Sequence, residues 1–441
     1  MITSWFNTIK DIYQTKELRT RLYNTLFYVT IFRIGIYIVL PTINLEILSQ
    51  ESSDFAKFLD ILLNSTALSG KVIFSLGISP YISASIITQI TSLTIPYFQR
   101  LKKEGPSGRA QLNQITRYIT FGMAIMQSTM YVGAIARDPR VPMISRLFFF
   151  PLTILVLTTG AMFCVWLADR ITAKGLGSGS SVLITSNIAS GLLGALYVEY
   201  SNKESTLLFF ILKLLILLLI ITITITFMQG LRKIPLQYAT QMVGAQATYR
   251  GARQYLPIGL NTPGVMPIIF AQTITSIPLM IAKFFAQRNP NSYATTIVST
   301  LSNTYGWQYN LILCTLIFMG SFFYATIFVN ANEMADELKR SNGFIPGIMS
   351  GRSTAEYIDE KLSKITLPGS LFLVGITLIP VLAKKFICYE KEMCRYFGGT
   401  SQLITIGVIL DIGKRIESYL FDTYYKGMLK APHAHLLGTN Q

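Results

Sequence analysis

The chain has 441 residues, of which 51% are hydrophobic and 14% are charged, and its formal net charge is +16. Because a soluble domain carries about 25% charged residues, this composition excludes an assembly of ordinary water-soluble domains. The positive charge does not require a nucleic-acid partner, since membrane proteins concentrate Lys and Arg in the loops on one side of the bilayer.

Ten apolar segments follow one another along the chain, each near the length of about 20 residues that a helix needs to cross a bilayer. The first is expected to be an anchor rather than a cleavable signal peptide, because no small-residue cleavage site follows it. The second contains Gly77 and Pro80, and the fifth is short and rich in Gly and Ser. Such interruptions indicate helices that line a cavity. The predicted spans cover 22–40, 74–97, 115–135, 148–167, 181–196, 205–228, 264–284, 310–329, 365–382 and 399–420.

The distribution of charge predicts the orientation of these spans. Placing the amino terminus in the cytosol puts most Lys and Arg residues into cytosolic segments and both termini inside, as the positive-inside rule requires. Two cytosolic loops, 229–263 and 330–364, are long, and the first holds four basic residues, three tyrosines and no acid. This pattern predicts either a docking surface for an acidic partner or RNA phosphate, or a solvated loop that only sets the topology.

The residues that catalysis and metal binding need are scarce. The two histidines, His433 and His435, lie in the C-terminal tail, and the four cysteines lack the spacing of zinc ligands. The Gly-rich stretch 175–179 is not followed by the Gly-Lys-Ser/Thr of a phosphate-binding loop, and we interpret it as a flexible turn. We therefore expect neither an enzyme nor a cofactor or metal site, so a partner or a gradient would have to drive any cargo.

Charged residues inside the predicted spans are few. We expect Arg33, in the first span, to face protein or water, because an Arg at the bilayer centre costs about 2.5–3.5 kcal/mol on insertion scales. We expect Lys213, in the sixth, to extend its amine to the interface. A secondary transporter with inverted repeats stays as the alternative function, although it predicts more polar groups at mid-membrane. A polytopic membrane enzyme would need buried clusters of His, Asp or Glu, and the sequence shows no such clusters in the predicted spans.

Several tracts spread over most of the chain resemble the SecY family of protein-conducting channels. They occur in the order and at the spacing of that family, on the ten predicted spans. The tracts are LGISPYISASI at 76–86, KKEGPSGR at 102–109, WLADRITAKGLGSG at 166–179, RKIPLQYA at 232–239, YLPIGLNTPGVMPIIF at 255–270, EMADELKR at 333–340, GFIPGI at 343–348 and YFGGTS at 396–401.

The resemblance implies an all-α polytopic membrane protein. Ten transmembrane helices would form two pseudo-symmetric five-helix halves, residues 1–200 and 201–441, arranged as a clamshell around an hourglass pore. It also implies the central pore subunit of the Sec channel, which passes unfolded preproteins across the membrane and releases transmembrane segments sideways into lipid. Such a channel is passive and is driven by a partner ATPase or by the ribosome.

The resemblance assigns residues to the parts of this channel. A ring of apolar side chains would seal the waist of the pore against ions, a plug near 59–72 would close the external funnel, and a lateral gate would open toward lipid. Hydrogen-bonded bundle packing is an equal explanation for the polar gate residues. The ring maps to Ile78, Ile82, Ser180, Ile184, Ile269 and Ile404, the plug to Asn64, Ser65, Thr66, Ala67 and Leu68, and the gate to Ser83 and Gln127.

The two long loops would bind the motor ATPase SecA and the ribosome. Their docking residues would be Arg232, Lys233, Arg250, Arg253, Arg340 and Arg352. Other implied partners are small SecE-like and SecG-like membrane subunits, preprotein signal sequences and the lipid bilayer. The location would be the bacterial inner membrane or an organelle membrane of bacterial origin. Three positions depart from the family pattern: Ser180 replaces an apolar ring residue, Ser65–Thr66 a frequent Gly-Gly of the plug, and Met349 a basic residue of the second loop.

Overall fold

The computed structural model describes residues 15–42, 72–136, 146–201, 207–238, 254–261, 264–288, 293–303, 305–328, 330–386 and 398–434. The chain divides into two compact units. One comprises Met1–Ser201 with Val408–Gln441, and the other comprises Asn202–Gly407. The predicted division into halves at residue 200 stays a prediction.

The described residues of the first unit form helices joined by turns, with one isolated β-bridge between Val39 and Val72. Proline stands in the first turn of three helices, where its fixed φ suits the helix and its missing N–H leaves no bond unmade. In chain order the helices are α1 Lys16–Tyr37, α2 Ser79–Thr94, α3 Pro96–Lys103, α4 Pro106–Ile135, α5 Arg146–Lys174 and α6 Gly179–Ser201. The unit also includes the last helix, α13 Gly399–Ala434, from Val408 onward.

Buried hydroxyl groups join the packed helices α2, α4 and α5. Thr116 Oγ1 on α4 donates to Thr88 Oγ1 on α2 over 3.2 Å. The hydroxyl oxygens of Ser128 on α4 and Thr158 on α5 lie 3.1 Å apart. In an apolar solvent helices gain nothing from burying more apolar surface, so interhelical hydrogen bonds such as these contribute to their association.

The second unit combines helices with three short strands. Its helices are α7 Leu207–Met228, α8 Met266–Arg288, α9 Tyr293–Ser302, α10 Trp307–Phe328, α11 Ala331–Arg340, α12 Arg352–Phe386 and the first residues of α13, Gly399–Ala434. Its strands are β1 Leu231–Tyr238, β2 Gln254–Gly259 and β3 Gly343–Phe344. The helical core consists of Ile268, Ala271, Leu313, Ile317, Leu373, Ile376 and Leu403.

The two long segments between predicted spans are folded together. The strands form an antiparallel sheet in the order β2-β1-β3. Ile234 and Leu236 alternate inward from β1 and pack with Leu338 of α11 and with Ile358 and Leu362 of α12. We call β1–β3, α11 and the first turns of α12 the loop subdomain. This sheet was not predicted from the sequence.

Each of the ten predicted spans overlaps one of these helices. Within the described residues, five segments are both long and apolar enough to cross a membrane, judged by length and composition. The count of ten therefore stays a prediction. The five are Phe148–Lys174, Gly179–Tyr197, Leu208–Met228, Trp307–Arg340 and Arg352–Lys385.

The outcome differs for Arg33 and Lys213, the two charged residues with a specific expectation from the sequence. Arg33 on α1 is half-buried, and its Nε donates to Ser186 Oγ on α6 over 3.0 Å. Arg33 therefore faces protein, as expected. Lys213 on α7 is only 8% exposed. The residue is therefore buried within the protein, and the expectation that its amine extends to the membrane interface stays a prediction.

The Gly-rich stretch forms the turn between α5 and α6, as expected, and it is closely packed. Gly175, Leu176 and Gly177 are buried. A Cβ at Gly179 would overlap the carbonyl oxygen of Ala168 on α5. The turn is short because its glycines let two helix ends approach at backbone distance.

Gly160 on α5 provides a test of this close packing. A Cβ there would come far inside contact distance of the carbonyl oxygen of Ile73. We expect Gly160→Ala to lower the unfolding temperature of the detergent-purified protein, since relieving such an overlap costs about 1–3 kcal/mol.

The matched control is Gly122→Ala on α4, where a Cβ would meet nothing within 4 Å. There the better helix propensity of Ala contributes up to about 1 kcal/mol, so we expect an unchanged or higher unfolding temperature. Equal effects of the two substitutions would contradict the packing described.

Candidate functional site

The first pair of predicted ring residues lies at the start of α2. Ile78 is the residue before the helix, and its carbonyl oxygen accepts the amide proton of Ile82 over 3.1 Å. The spacing of four places both side chains on one face of α2. Ile78 is buried and Ile82 is half-buried.

The second pair lies at the start of α6. Ser180 and Ile184 are also four residues apart and share a face, and both are half-buried. The hydroxyl oxygen of Ser180 lies 3.1 Å from that of Ser178. Because this hydroxyl has a partner within the turn, the polar residue at a ring position does not leave an unmade hydrogen bond.

In the second unit, two contacts hold the starts of α8 and α13 together. Gly407 on α13 lies so close to Val265 that a Cβ on the glycine would overlap the valine side chain. At the other end of the contact, Gln272 Nε2 on α8 donates to Thr400 Oγ1 on α13 over 2.5 Å. The two helices therefore run antiparallel along this stretch.

These two contacts bring Ile269 and Ile404 to the same level. Each isoleucine stands midway between the two contact residues of its own helix. The preceding residues, Ile268 and Leu403, belong to the core of the unit. Ile269 and Ile404 therefore lie beside that core, on the neighbouring face of the helix pair.

A glycine with positive φ lies at the first residue, or two residues before it, of all four helices that carry predicted ring residues. The ring residues lie in the first two turns of these helices or immediately before them. Because other residues rarely adopt this conformation, the glycine determines where the helix starts and at what height its ring residue lies. The φ angles are +52° at Gly77, +86° at Gly177, +64° at Gly264 and +72° at Gly399.

The structure describes the predicted gate residues but not the predicted plug residues. The plug residues 64–68 lie outside the described residues. Ser83 on α2 is buried and Gln127 on α4 is half-buried. Counting along the helices from the Thr88–Thr116 bond, Ser83 and Gln127 differ in level by roughly 9 Å, so the structure does not bring them into one polar contact.

Two predicted docking residues on β1 point in opposite directions. Successive side chains of a strand alternate between its faces. Lys233, paired with Pro257, shares the outward face with Tyr255, whereas Arg232, paired with Ile258, lies on the face that carries the core. Both basic side chains are exposed, but they do not form a single patch.

The second long segment carries Arg340 and Arg352. Arg340 is exposed in the last turn of α11. Arg352 Nε lies 3.1 Å from Glu356 Oε1, in a pair whose side chains are 92% and 68% exposed. Exposed pairs of this kind contribute little energy, so Arg352 can exchange Glu356 for another anion. Arg250 and Arg253 lie outside the described residues.

Two features of the loop subdomain were not predicted from the sequence. Glu333, Asp336 and Glu337 are exposed on α11, along the same face as Arg340, so the surface carries both charges. Their spacing of three and four residues was the available signal. The residue Met349 is 83% exposed. Its backbone carbonyl oxygen accepts the hydroxyl proton of Thr354 over 2.9 Å.

Comparison with known proteins identifies the class to which these features belong. The family model named SecY matches residues 72–413. The protein translocase subunit SecY of Streptomyces coelicolor is 35% identical over 435 residues, covering 95% of this chain and 98% of its own. That of Aquifex aeolicus is 35% identical over 437 residues, covering 96% and 99%, and that of Halalkalibacterium halodurans is 36% identical over 444 residues, covering 96% and 100%. The chain belongs to the SecY family.

Solved structures agree on the fold. A SecY protein whose plug domain stabilises the closed state of its translocation channel superposes with a TM-score of 0.63 at 16% identity, covering 91% of this chain and 92% of that chain. Sec61 from a canine ribosome–channel complex superposes with a TM-score of 0.58 at 14% identity and the same coverage. The predicted SecY-type helical fold is thereby confirmed.

The pairing of Ile269 with Ile404 can be tested by cross-linking. In a variant whose native cysteines are replaced by Ser, we expect Ile269→Cys and Ile404→Cys to be joined efficiently by a short bifunctional maleimide. The reason is that the two contacts between α8 and α13 hold both positions level. Cleavage of the chain between the two sites, followed by electrophoresis, measures the linked fraction.

The matched control combines Ser276→Cys with Ile404→Cys. Ser276 lies seven residues further along α8 than Ile269, which is about 10 Å of helix. We expect little linkage for this pair. A higher yield for the control than for the Ile269 pair would show that the helices are in a different register.

Proposed function

We propose that this chain lines the pore through which unfolded preproteins cross a membrane and from which transmembrane segments leave sideways into lipid. Its membership of the SecY family carries the conclusion, because the match extends over nearly the full length of this chain and of its relatives. The chain is a multi-pass membrane protein and a pore subunit of the Sec translocation channel. The same family membership favours the channel over the alternative of a secondary transporter.

Closure of the pore is proposed to depend on the apolar ring. Bulky aliphatic side chains exclude water from a narrow waist, and a dewetted constriction stops ions without a fixed gate. Ile78, Ile82, Ile184, Ile269 and Ile404 would supply the apolar surface, and Ser180 the one polar position. The positive-φ glycines support this role, because they set each of these residues at a defined helix start.

The remaining moving parts are proposals that rest on the family resemblance. Residues near 59–72, including Asn64 to Leu68, would form the plug on the external side. The lateral gate would open between α2 and α4 on one side and the seventh and eighth spans on the other, with Ser83 and Gln127 as polar gate residues. The buried Thr88–Thr116 bond supports movement of α2 and α4 as one body.

The driving partners are proposed to dock on the loop subdomain and on the sequence between β1 and β2, which contains Arg250 and Arg253. A structural neighbour is Sec61 in a ribosome–channel complex, and a second is the Ssh1 complex bound to the yeast ribosome, with a TM-score of 0.59. These neighbours support the ribosome as a partner, and SecA is proposed as the other engine. SecE-like and SecG-like subunits are proposed as further partners. The proposed location is a bacterial-type inner membrane, with both termini in the cytosol.

The ring predicts a specific defect in closure. We expect Ile82→Asn and Ile404→Asn each to raise the resting ion conductance of the reconstituted channel several-fold, because an amide at the waist retains water. The same variants should translocate preproteins with impaired signal sequences more readily. The control Ile82→Leu keeps the surface apolar and should behave as the wild type.

Unchanged conductance and unchanged signal-sequence selectivity in both Asn variants would refute the ring. Recordings in planar bilayers measure the first property, and protease protection of preprotein in reconstituted vesicles measures the second.

The docking proposal predicts a loss of affinity on charge reversal. We expect Arg250→Glu with Arg253→Glu to weaken binding of ribosomes or SecA, and the difference should shrink as salt is raised, because exposed charges are screened within about 10 Å at 0.1 M. Lys385→Glu, at the opposite end of the ninth predicted span, is the matched control. Co-sedimentation at physiological salt measures both, and equal binding by all three proteins would rule out this surface.

A further inference from the structure

The turn between α5 and α6 is held by threonine side chains from two different helices. The amide nitrogen of Leu176 donates to Thr25 Oγ1 on α1 over 2.9 Å. The amide nitrogen of Gly179, the first residue of α6, donates to Thr172 Oγ1 on α5 over 2.9 Å. The turn is therefore attached to both neighbouring helices through its backbone rather than through its side chains.

Both hydroxyl groups are oriented to accept these protons. Thr25 Oγ1 donates its own proton to the carbonyl oxygen of Arg21 over 2.8 Å, and Thr172 Oγ1 donates to that of Ala168 over 2.9 Å. Each hydroxyl proton is thus engaged one turn earlier in its own helix, which leaves oxygen lone pairs directed at the turn. Serine can reproduce this geometry and valine cannot, although valine matches threonine in shape.

The glycines of the turn make the two hydrogen bonds possible. A Cβ at Gly175 would lie 2.6 Å from Thr25 Oγ1. A Cβ at Gly179 would overlap the backbone of α5 at Ala168. Any side chain at either position would displace the turn from its acceptors, so the glycines and threonines act as one unit.

This unit lies next to two predicted ring residues. Ser180 and Ile184 are the second and sixth residues of α6, so the height of the turn is also the height of this part of the ring. A shift of α6 by a single residue would move Ile184 by about 1.5 Å along the axis and turn it by about 100°. The proposed ring tolerates little such movement. A gap as wide as a water molecule between its side chains would let water, and with it ions, enter the waist.

We infer that Thr25 and Thr172 are positioning residues for the pore ring: their hydroxyl groups fix the start of α6 and thereby hold Ser180 and Ile184 at the level where the resting pore closes. This inference rests on the proposed function of the ring. Thr25 and Thr172 lie outside the ring, and they would contribute to ion exclusion as well as to stability.

The test replaces each threonine with an isosteric valine in the full membrane complex and measures resting conductance in planar bilayers. Loss of one such hydrogen bond shifts an equilibrium by roughly fivefold, so we expect Thr172→Val to raise the resting conductance by about that factor. The double variant Thr25→Val with Thr172→Val should leak more. Thr172→Ser should restore the wild-type conductance.

Matched controls separate positioning from general stability. Thr159 on α5 and Thr30 on α1 donate only to carbonyl oxygens of their own helices, those of Leu155 and Leu26. We expect Thr159→Val and Thr30→Val to leave conductance unchanged. Unfolding temperatures of all variants are recorded alongside, because a purely structural role would lower them without producing a leak that serine rescues.

Three results would overturn the inference. The first is wild-type conductance in Thr172→Val while Ile184→Asn leaks, which would leave the ring intact and remove the threonines from it. The second is an equal leak in Thr172→Ser, and the third is an equal leak in Thr159→Val. If Ile184→Asn does not leak, the proposed ring itself fails, and the inference fails with it.

Discussion

The need to satisfy every backbone amide and carbonyl group controls this structure more than any other constraint. In apolar surroundings an unmade backbone hydrogen bond costs several kcal/mol, so irregular backbone survives only where other groups of the protein supply the partners. The chain departs from helix where its predicted ring helices begin. At the start of α6, the hydroxyl groups of Thr25 and Thr172 supply those partners. At the start of α2, the carbonyl oxygens of Phe74 and Leu76 do so, for Gly77 and Ser79.

Interrupted helices of this kind give a channel two properties at once. Each proposed ring residue lies near a helix start, close to a glycine with positive φ, so the proposed ring would be built at defined points rather than along continuous helices. The aliphatic side chains themselves make no directional bonds and can yield to a passing chain. Rigidity therefore resides in the backbone and its hydroxyl partners, and compliance resides in the side chains.

The loop subdomain is stabilised in a different way from the apolar helices. Its sheet and α11 bury Ile234, Leu236 and Leu338 in an ordinary hydrophobic core, as a water-exposed domain does. Folding these segments holds Lys233 and Arg340 on fixed backbone. It also separates Arg232 from Lys233 and adds the carboxylates of α11. A partner that docks here meets a surface of mixed charge, so the surface favours selective contacts over general attraction to phosphate.

The sequence by itself determined the class of protein, the positions of the apolar helices and the residues of the proposed ring. Those conclusions depend on hydropathy over about 20 residues and on short tracts such as 166–179, and both are local properties of the chain. The burial of Lys213, the packed turn at 175–179 and the β1–β2–β3 sheet were decided by the tertiary structure. Each depends on atoms that are distant in sequence: Leu176 meets Thr25 across 151 positions, and β1 pairs with β3 across more than a hundred residues. No local pattern encodes such contacts, because they exist only once the helices have packed.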